Sequence, residues 1–319
     1  MTTLVIGAGL VGAQVARILI EAGEKPVLFD NAPQAAALGE VFDLARAVVE
    51  VGDILRPLTI ADALRRHNVT RIAHTAANPM LTLGAQRDPY AAIHLNIMGT
   101  VNVIEAARAF GVKRVVVSSS NVLNHFIAGG DGSNDPMREG AFPRPTTFYA
   151  STKQAIESLG LNYARWHGIE FAALRYGAVF GPWSGQGGGG PSNLMREAVG
   201  RALRGEEATL PAGAMEWVYS KDAGQGTVLA LEAKALGPGV FNITMGALSS
   251  SQDMARALEA VVPGAKVRIE TPSAAAVSLP DMKGVSDLSL AKSVLGFVPR
   301  YGLVEGMRDL AAWLKARRA

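Results

Sequence analysis

Hydrophobic positions in the first half of the chain follow two spacings, one typical of buried strands and one typical of helices. Short runs rich in Val, Ile, Leu and Phe predict buried strands at 4–6, 26–30, 71–75, 114–119 and 171–175. Apolar residues that recur every three or four positions predict helices at 10–22, 60–66, 93–110 and 147–166. Strands and helices in this alternation are typical of a parallel sheet covered on both faces.

The second half of the chain mixes short helical and extended patterns without that alternation. We therefore predict an α/β protein with a Rossmann-type, doubly wound parallel sheet and a smaller α/β lobe at the carboxyl edge of the sheet, where open α/β folds bind ligands. The predicted Rossmann domain covers residues 1–176. The lobe is expected mainly over 177–319, with some return of the chain to the first domain.

Composition narrows the class of protein. Apolar residues make up 49% and charged residues 18%, which excludes intrinsic disorder as the main state. The absence of cysteine excludes disulfides and a thiol nucleophile, and five dispersed histidines argue against a metal site. A net charge of +3 without a basic stripe argues against nucleic acid. Polar residues interrupt the apolar amino terminus, so we expect no membrane span and a soluble, cytoplasmic protein.

A glycine-rich motif, GAGLVG, lies between the first predicted strand and the first helix. In this position Gly7 permits a tight turn, Gly9 lets a pyrophosphate approach the backbone, and Gly12 allows close helix–strand packing. Leu10 and Val11 would open the helix whose amino terminus faces the phosphates. The motif predicts a dinucleotide cofactor, although alone it is equally explained by a packing turn.

Two acidic residues strengthen the cofactor prediction. Asp30 ends the second strand 18 residues after Gly12, where a carboxylate accepts hydrogen bonds from the adenosine ribose. No arginine follows it, which favours NAD over NADP, and the alternative is a turn or capping residue. Asp53 and Ile54 follow the third strand and could contact the adenine, or could simply form a turn.

Candidate chemistry lies further along the chain. Tyr149 and Lys153 are four residues apart and therefore share one face of a helix, and the strand before them ends in Ser118-Ser119-Ser120. A nearby ammonium stabilises a phenolate, and the positive charge of an oxidised nicotinamide adds to this effect, so the two cations could lower the pKa of the tyrosine from about 10 towards about 7 and make it an acid/base. The alternative is a surface helix with a buried tyrosine and a solvated lysine.

Taken together, these residues resemble the extended short-chain dehydrogenase/reductases, also called the NAD-dependent epimerase/dehydratase family. The resemblance runs through nearly the whole chain. Besides GAGLVG and YASTK it includes HTAA at 74–77, NIMGT at 96–100, VVVSSSNV at 115–122, LRYGAVFGP at 174–182, VYSKDA at 218–223, and DLSLAK, LGF and Pro299 near the end.

The resemblance implies roles for individual residues. Tyr149 would be the acid/base, and Lys153 would hold the nicotinamide ribose. Counting back three residues from the valine matched by Val122 selects Ser119 as the group that binds the substrate oxygen, with Ser120 as the alternative if the register slips by one. Further cofactor contacts would come from Thr75, Ala76, Ala77 and Asn96. The family also implies a homodimer through helices near 93–110 and 148–166.

Departures from the family pattern narrow the function. Dehydratases carry Asp-Glu where this chain has Ser120-Asn121, which disfavours dehydration. Nucleotide-sugar enzymes usually have asparagine at the position of Ala178 and often an arginine before the aromatic residue matched by Trp217, where this chain has Ala-Met-Glu. Loss of a bidentate clamp on a diphosphate predicts a smaller substrate.

The first hypothesis is therefore an NAD-dependent oxidoreductase acting on a small non-nucleotide hydroxy compound, such as a sugar acid, polyol or other secondary alcohol. The alternative is an NAD-dependent epimerase of a sugar or nucleotide sugar that retains its cofactor. A non-catalytic dinucleotide sensor would predict a broken Tyr/Lys pair, and this pair is intact. Weaker candidates for substrate contact are Asn78, Ser120, Asn121, Tyr176 and Trp217. The glycine-rich loop 184–190 could be a lid or a solvated insertion.

Overall fold

A computed structural model describes residues 1–76, 85, 87–125, 137–140, 143, 145, 147–271 and 284–317. Its largest sheet has seven parallel strands, which are β1 Thr3–Ile6, β2 Val27–Asp30, β3 Val48–Val51, β4 Arg71–His74, β5 Arg114–Ser120, β6 Glu170–Tyr176 and β10 Val240–Ile243. They lie in the order β3-β2-β1-β4-β5-β6-β10. The predicted Rossmann-type sheet is confirmed.

Helices cover both faces of this sheet and build the smaller lobe. The described helices are α1 Leu10–Glu21, α2 Ala35–Gly39, α3 Pro57–Arg66, α4 Pro89–Ile93, α5 Gly99–Ala109, α6 Val122–His125, α7 Phe148–His167, α8 Gly189–Leu203, α9 Ser220–Glu232, α10 Ser251–Val261 and α11 Leu303–Ala316. A 3₁₀ turn spans Leu44–Arg46, and π-helical turns span His94–Met98 and Ala291–Leu295. None of the helices described here is long and apolar enough to cross a membrane.

The helix predicted over 93–110 begins earlier, at Pro89, and contains a π-helical turn where α4 joins α5. Its start follows from local chemistry, since the Asp88 carboxylate accepts a hydrogen bond from the Ala91 N–H and Pro89 occupies the first helical position. The π-helical turn contains Asn96, so the helix departs from regular geometry where it contacts α7.

Two smaller sheets form the lobe. Strands β7 Ala178–Phe180, β9 Ala214–Tyr219 and β11 Leu248–Ser250 make one, and β8 Ala208–Pro211 with β12 Val267–Glu270 makes the other. Phe180, Trp217 and Tyr219 meet edge to face in the lobe core. The chain returns to the large sheet between 220 and 243, where α9 packs on α1 and β10 pairs with β6.

Candidate active site

A cavity of ≈ 560 Å³ lies at the carboxyl edge of the large sheet. The ends of β1, β2, β4, β5 and β6 meet there because all five strands are parallel, and the order of the sheet reverses beside β1. Residues 177–179 and 214–216 of the lobe cover the cavity. Most of the predicted cofactor residues line it, namely Gly7, Gly9, Leu10, Val11, Gly12, Asp30, Asp53, Ile54, Thr75, Ala76, Tyr149 and Lys153.

The glycine loop is shaped for a pyrophosphate. Gly7 has a φ of +93°, which favours glycine, and a Cβ on Gly12 would lie 1.8 Å from the Gly7 carbonyl oxygen. A Cβ on Gly9 would meet nothing within 4 Å, so this glycine faces open space. Helix α1 has no side-chain cap, which leaves its first N–H groups available to an anion. Thr75 braces the loop by donating to the carbonyl oxygens of Ile6 and Gly7.

The carboxylate of Asp30 connects this loop to the end of β2. Its oxygens accept hydrogen bonds from the N–H groups of Ala8 (2.8 Å) and Ala32 (2.9 Å). Each oxygen keeps a second lone pair for further donors. Asp53 accepts from the Leu55 N–H through one oxygen. Both carboxylates line the cavity, where they are placed to accept hydrogen bonds from adenosine.

Helix α7 presents Tyr149 and Lys153 to the other end of the cavity. The helix starts at a cap formed by Thr147, whose hydroxyl accepts from the Ala150 N–H. Lys153 Nζ donates to the Ser118 carbonyl oxygen at 2.9 Å and lies 5.7 Å from the centre of the Tyr149 ring. The predicted pairing of a phenol with a buried ammonium on one helix face is therefore present.

Burial changes the ionisation of both groups. It raises the pKa of Tyr149 above its usual 10, while a hydrogen bond with Ser120 lowers it. The lowering predicted from the sequence depends on the charge of an oxidised nicotinamide as well as on Lys153, so it stays a prediction. Burial also lowers the pKa of Lys153 to about 8, against the raising effect of the nearby Glu157 carboxylate. Lys153 consequently remains mostly protonated at neutral pH.

The two serine candidates face different surroundings. Ser119 is buried, and its hydroxyl donates to Glu157 Oε1 at 2.5 Å, inside the protein. Both serines line the cavity, but Ser120 is the one whose interaction with the Tyr149 phenol lowers the pKa of that phenol. Successive side chains of a strand point to opposite sides, so only one of the two can face Tyr149. This geometry favours the alternative, Ser120, over Ser119 as the substrate-facing hydroxyl.

Other candidates for substrate contact differ in position. Trp217 is fully buried in the lobe core against Phe180 and is absent from the described lining, so the structure does not bring this predicted contact to the cavity. Tyr176 lines the cavity, but its hydroxyl bonds Thr227 at 2.6 Å. Asn121 also lines the cavity, and its amide donates to Glu216. Asn78 lies outside the described residues.

Two predicted cofactor residues, Asn96 and Ala77, are not part of the described cavity lining. Asn96 does not line the cavity; its amide donates to the Thr152 hydroxyl at 3.1 Å and so connects the π-helical turn to α7. The side-chain carbonyl oxygen of Asn96, Oδ1, is buried without a hydrogen-bond partner. The contact that the structure shows for Asn96 is therefore with α7 and not with the cavity. Ala77, like Asn78, lies outside the described residues.

Sequence reasoning missed two acidic groups. Glu157 is buried one helical turn beyond Lys153 and forms a bidentate ion pair with Arg175. The sequence signal for Glu157 was its position four residues after Lys153, which places both side chains on one face of the helix. Glu216 lines the cavity and accepts hydrogen bonds from Thr244 and Ser286, and burial raises its pKa. Nothing local in the sequence distinguished Glu216 from an exposed strand residue.

The glycine-rich strap, residues 185–189, crosses one side of the cavity. Gly187, Gly188 and Gly189 all have φ between +79° and +90°, a conformation that other residues rarely adopt. The side chain of Gln34 holds the strap from the opposite wall, since it accepts from the Gln186 N–H (2.6 Å) and donates to the Gln186 carbonyl oxygen (3.3 Å). Of the two alternatives for this loop, the geometry is that of a covering segment.

The whole chain is similar to solved structures of known enzymes. UDP-glucose 4-epimerase of Thermotoga maritima, in a structure with UDP-glucose, is 25% identical over 100% of both chains with a TM-score of 0.84. A consensus L-threonine 3-dehydrogenase is 26% identical, covers 99% of this chain and 100% of its own, and has a TM-score of 0.82. UDP-glucuronate 4-epimerase of Thermodesulfobacterium geofontis is 25% identical over 97% of this chain and 94% of its own length.

The family model described as "NAD dependent epimerase/dehydratase family" matches residues 3–244, about three quarters of the chain. The cavity fits the cofactor of that family: Gly9 leaves space over an uncapped helix terminus, and Asp30 and Asp53 line the far wall. This chain belongs to the NAD-dependent epimerase/dehydratase family, the extended short-chain dehydrogenase/reductases, and is an NAD-dependent enzyme.

Proposed function

We propose that this enzyme is an epimerase that retains NAD and inverts one hydroxyl-bearing carbon of a sugar or nucleotide sugar. One observation carries the proposal: similarity to the Thermotoga maritima UDP-glucose 4-epimerase extends over 100% of both chains. That range includes the lobe, which forms the substrate side of the cavity through residues 177–179 and 214–216. The comparisons thus favour the epimerase alternative over the net oxidoreductase that sequence reasoning placed first.

In this proposal each residue at the carboxyl end of β5 and on α7 has a separate task. The Tyr149 oxygen takes the proton of the reacting hydroxyl and returns it, and the Ser120 hydroxyl binds the same substrate oxygen. The Lys153 ammonium stabilises the phenolate and holds the nicotinamide ribose. NAD, when bound, supplies reversible acceptance of a hydride. The lobe excludes water from this end of the cavity.

Ser120→Ala should lower kcat about a hundredfold, because it removes a hydrogen-bond donor aimed at the oxygen on which charge develops. Steady-state kinetics with the substrate identified below would measure the effect. Ser119→Ala is the matched control: it should lower kcat less than tenfold and reduce thermal stability instead, since its hydroxyl serves buried Glu157. The reverse order of the two kcat effects would restore Ser119 as the substrate-binding serine.

A second candidate function is net oxidation or reduction of a small hydroxy compound. It is favoured by Met215, which stands where nucleotide-sugar enzymes often carry an arginine. Within the described lining of the cavity, Lys153 is the only cation, and it is committed to the Ser118 carbonyl. The similarity to the consensus L-threonine 3-dehydrogenase supports the same candidate. Under this alternative the substrate carries no diphosphate.

Cofactor retention separates the two candidates. An epimerase recovers its oxidised cofactor within each turnover, whereas a dehydrogenase must exchange it. Purified, then denatured, protein should release about one equivalent of NAD(H) per chain. An empty protein that oxidises small alcohols with added NAD, but leaves UDP-glucose and UDP-glucuronate unchanged, would overturn the epimerase and establish the second candidate.

The strap offers a matched pair of variants for the same measurement. Gln34→Ala removes both hydrogen bonds to Gln186, so bound NAD should dissociate about tenfold faster. Gln186→Ala keeps both bonds, because Gln34 contacts the backbone of Gln186 and not its side chain. Dissociation can be followed by displacement with a fluorescent dinucleotide. Equal rates in the two variants would show that the strap does not retain the cofactor.

The homodimer implied by the family stays a prediction. Large apolar side chains are exposed on both helical regions concerned, among them Tyr90 (78%) and Ile93 (43%) on α4 and Trp166 (75%) on α7. A second copy of the chain packed against these helices would remove that apolar surface from water.

A further inference from the structure

We propose that Glu157 is a positioning residue for the reaction: it holds the ammonium of Lys153 charged and in place, both through its own carboxylate and through the end of strand β5. The inference rests on the proposed role of Lys153 in holding the cofactor. It concerns a buried acidic group to which the mechanism above assigns no task.

Helix geometry places Glu157 beneath the catalytic pair. Tyr149, Lys153 and Glu157 follow at intervals of four residues and therefore share one face of α7. The Glu157 side chain is only 7% exposed and is held by Arg175, with Nε–Oε1 at 3.0 Å and Nη2–Oε2 at 2.8 Å. A bidentate pair of this kind fixes the carboxylate in one orientation.

A second connection runs through β5. Ser119 donates its hydroxyl hydrogen to Glu157 Oε1 at 2.5 Å, and the carbonyl of the preceding Ser118 accepts from Lys153 Nζ at 2.9 Å. Ser118 and Ser119, neighbours at the end of β5, are thus hydrogen-bonded to Lys153 and Glu157 on successive turns of α7. Loss of the carboxylate would release the strand end that anchors the lysine.

The charges around Lys153 make the carboxylate necessary. Its own helix presents Tyr149 and Glu157, β4 presents His74, and β6 presents Arg175 behind Glu157. Burial, and secondly the charge of Lys153, lower the pKa of His74 to about 3, so this histidine is neutral. Lys153 and Arg175 are then two buried cations; Glu157 is the carboxylate that raises the pKa of Lys153, while the charge of Arg175 also acts on Glu139.

The consequence is a defined dependence on pH. Burial alone lowers the pKa of Lys153, and the Glu157 charge opposes that effect, leaving a pKa of about 8. Without the carboxylate the pKa falls further, so Lys153 loses its proton at a lower pH. A neutral lysine neither stabilises the Tyr149 phenolate nor holds the ribose as strongly, so NAD affinity and kcat/KM should both decline from that lower pH upwards.

Two variants separate charge from shape. Glu157→Gln keeps the shape of the side chain and removes the charge; Glu157→Asp keeps the charge and shortens the side chain. The dissociation constant of NAD, measured by calorimetry between pH 6 and 10, should weaken above a break near pH 8 in the parent enzyme. We expect the break about one pH unit lower in the Gln variant and near its original position in the Asp variant. The alkaline limb of kcat/KM should move in parallel.

A purely structural role predicts something else. Both variants would then lower thermal stability while the break stayed in place, and that result would overturn the inference. If the Gln variant fails to fold because Arg175 is left unpaired, Glu157→Gln combined with Arg175→Gln removes both buried charges, and the break should still move to lower pH. Absence of any break in the parent enzyme would overturn the role of Lys153, and this inference with it, while the cofactor-retention test of the epimerase would stand separately.

Discussion

Tyr149→Phe should lower kcat at least a hundredfold and leave the affinity for NAD within about threefold. In its phenolate form, Tyr149 is the only group at this end of the described cavity placed to accept the proton of a substrate hydroxyl beside both Ser120 and Lys153. General acid–base groups contribute about 10²–10⁴ in rate, so removing one oxygen atom accounts for the whole expected loss. Steady-state kinetics and calorimetric titration with NAD measure the two quantities.

Tyr176→Phe is the matched control for this prediction. Tyr176 also lines the cavity and is buried, but its hydroxyl bonds Thr227 on α9, away from Tyr149. Its removal should cost about 1 kcal/mol in the free energy of unfolding and change kcat less than threefold. If the Tyr149→Phe variant retained activity, Tyr149 would not be the acid/base, whatever the result for Tyr176→Phe.

Gly12→Ala should destabilise the protein and abolish NAD binding. The added Cβ would lie 1.8 Å from the Gly7 carbonyl oxygen. This oxygen belongs to the backbone and cannot move away while β1 keeps its register with β4. Helix α1 must therefore move away from the sheet. Overpacking of this kind costs about 3 kcal/mol, and it also displaces the helix terminus that faces the pyrophosphate. Thermal denaturation and NAD titration would measure both losses.

Gly9→Ala separates binding from folding at the same loop. A Cβ at Gly9 meets no protein atom within 4 Å, and its φ of −91° suits alanine, so thermal stability should stay within about 1 kcal/mol of the parent. The methyl group would instead occupy the space through which a pyrophosphate approaches the backbone, weakening NAD affinity at least tenfold. Unchanged affinity would mean that the pyrophosphate does not cross this loop.

Much of the fold follows from local pattern. The strands from β1 to β6 that were predicted differ from the observed ones by at most two residues at either end, because each is a short apolar run between helical segments. Helix α3 begins three residues before its predicted start, at Pro57, since proline suits a first helical turn but carries no periodic signal. In the lobe the short strands β7, β8, β9, β11 and β12 gave no comparable alternation, because their pairing partners lie far along the chain.

The sequence by itself determined the parts of the site that depend on near neighbours: the glycine loop at a strand–helix junction, the acidic end of β2, and a tyrosine and lysine one helical turn apart. Tertiary structure alone decided that Ser119 donates to Glu157, that Trp217 belongs to a core, and that burial raises the pKa of the phenol. It also brought Arg175 to Glu157 and Gln186 to Gln34, a residue 152 positions away. The physical reason is that a side chain's direction at a strand end, and its loss of water, depend on which distant segment packs against it.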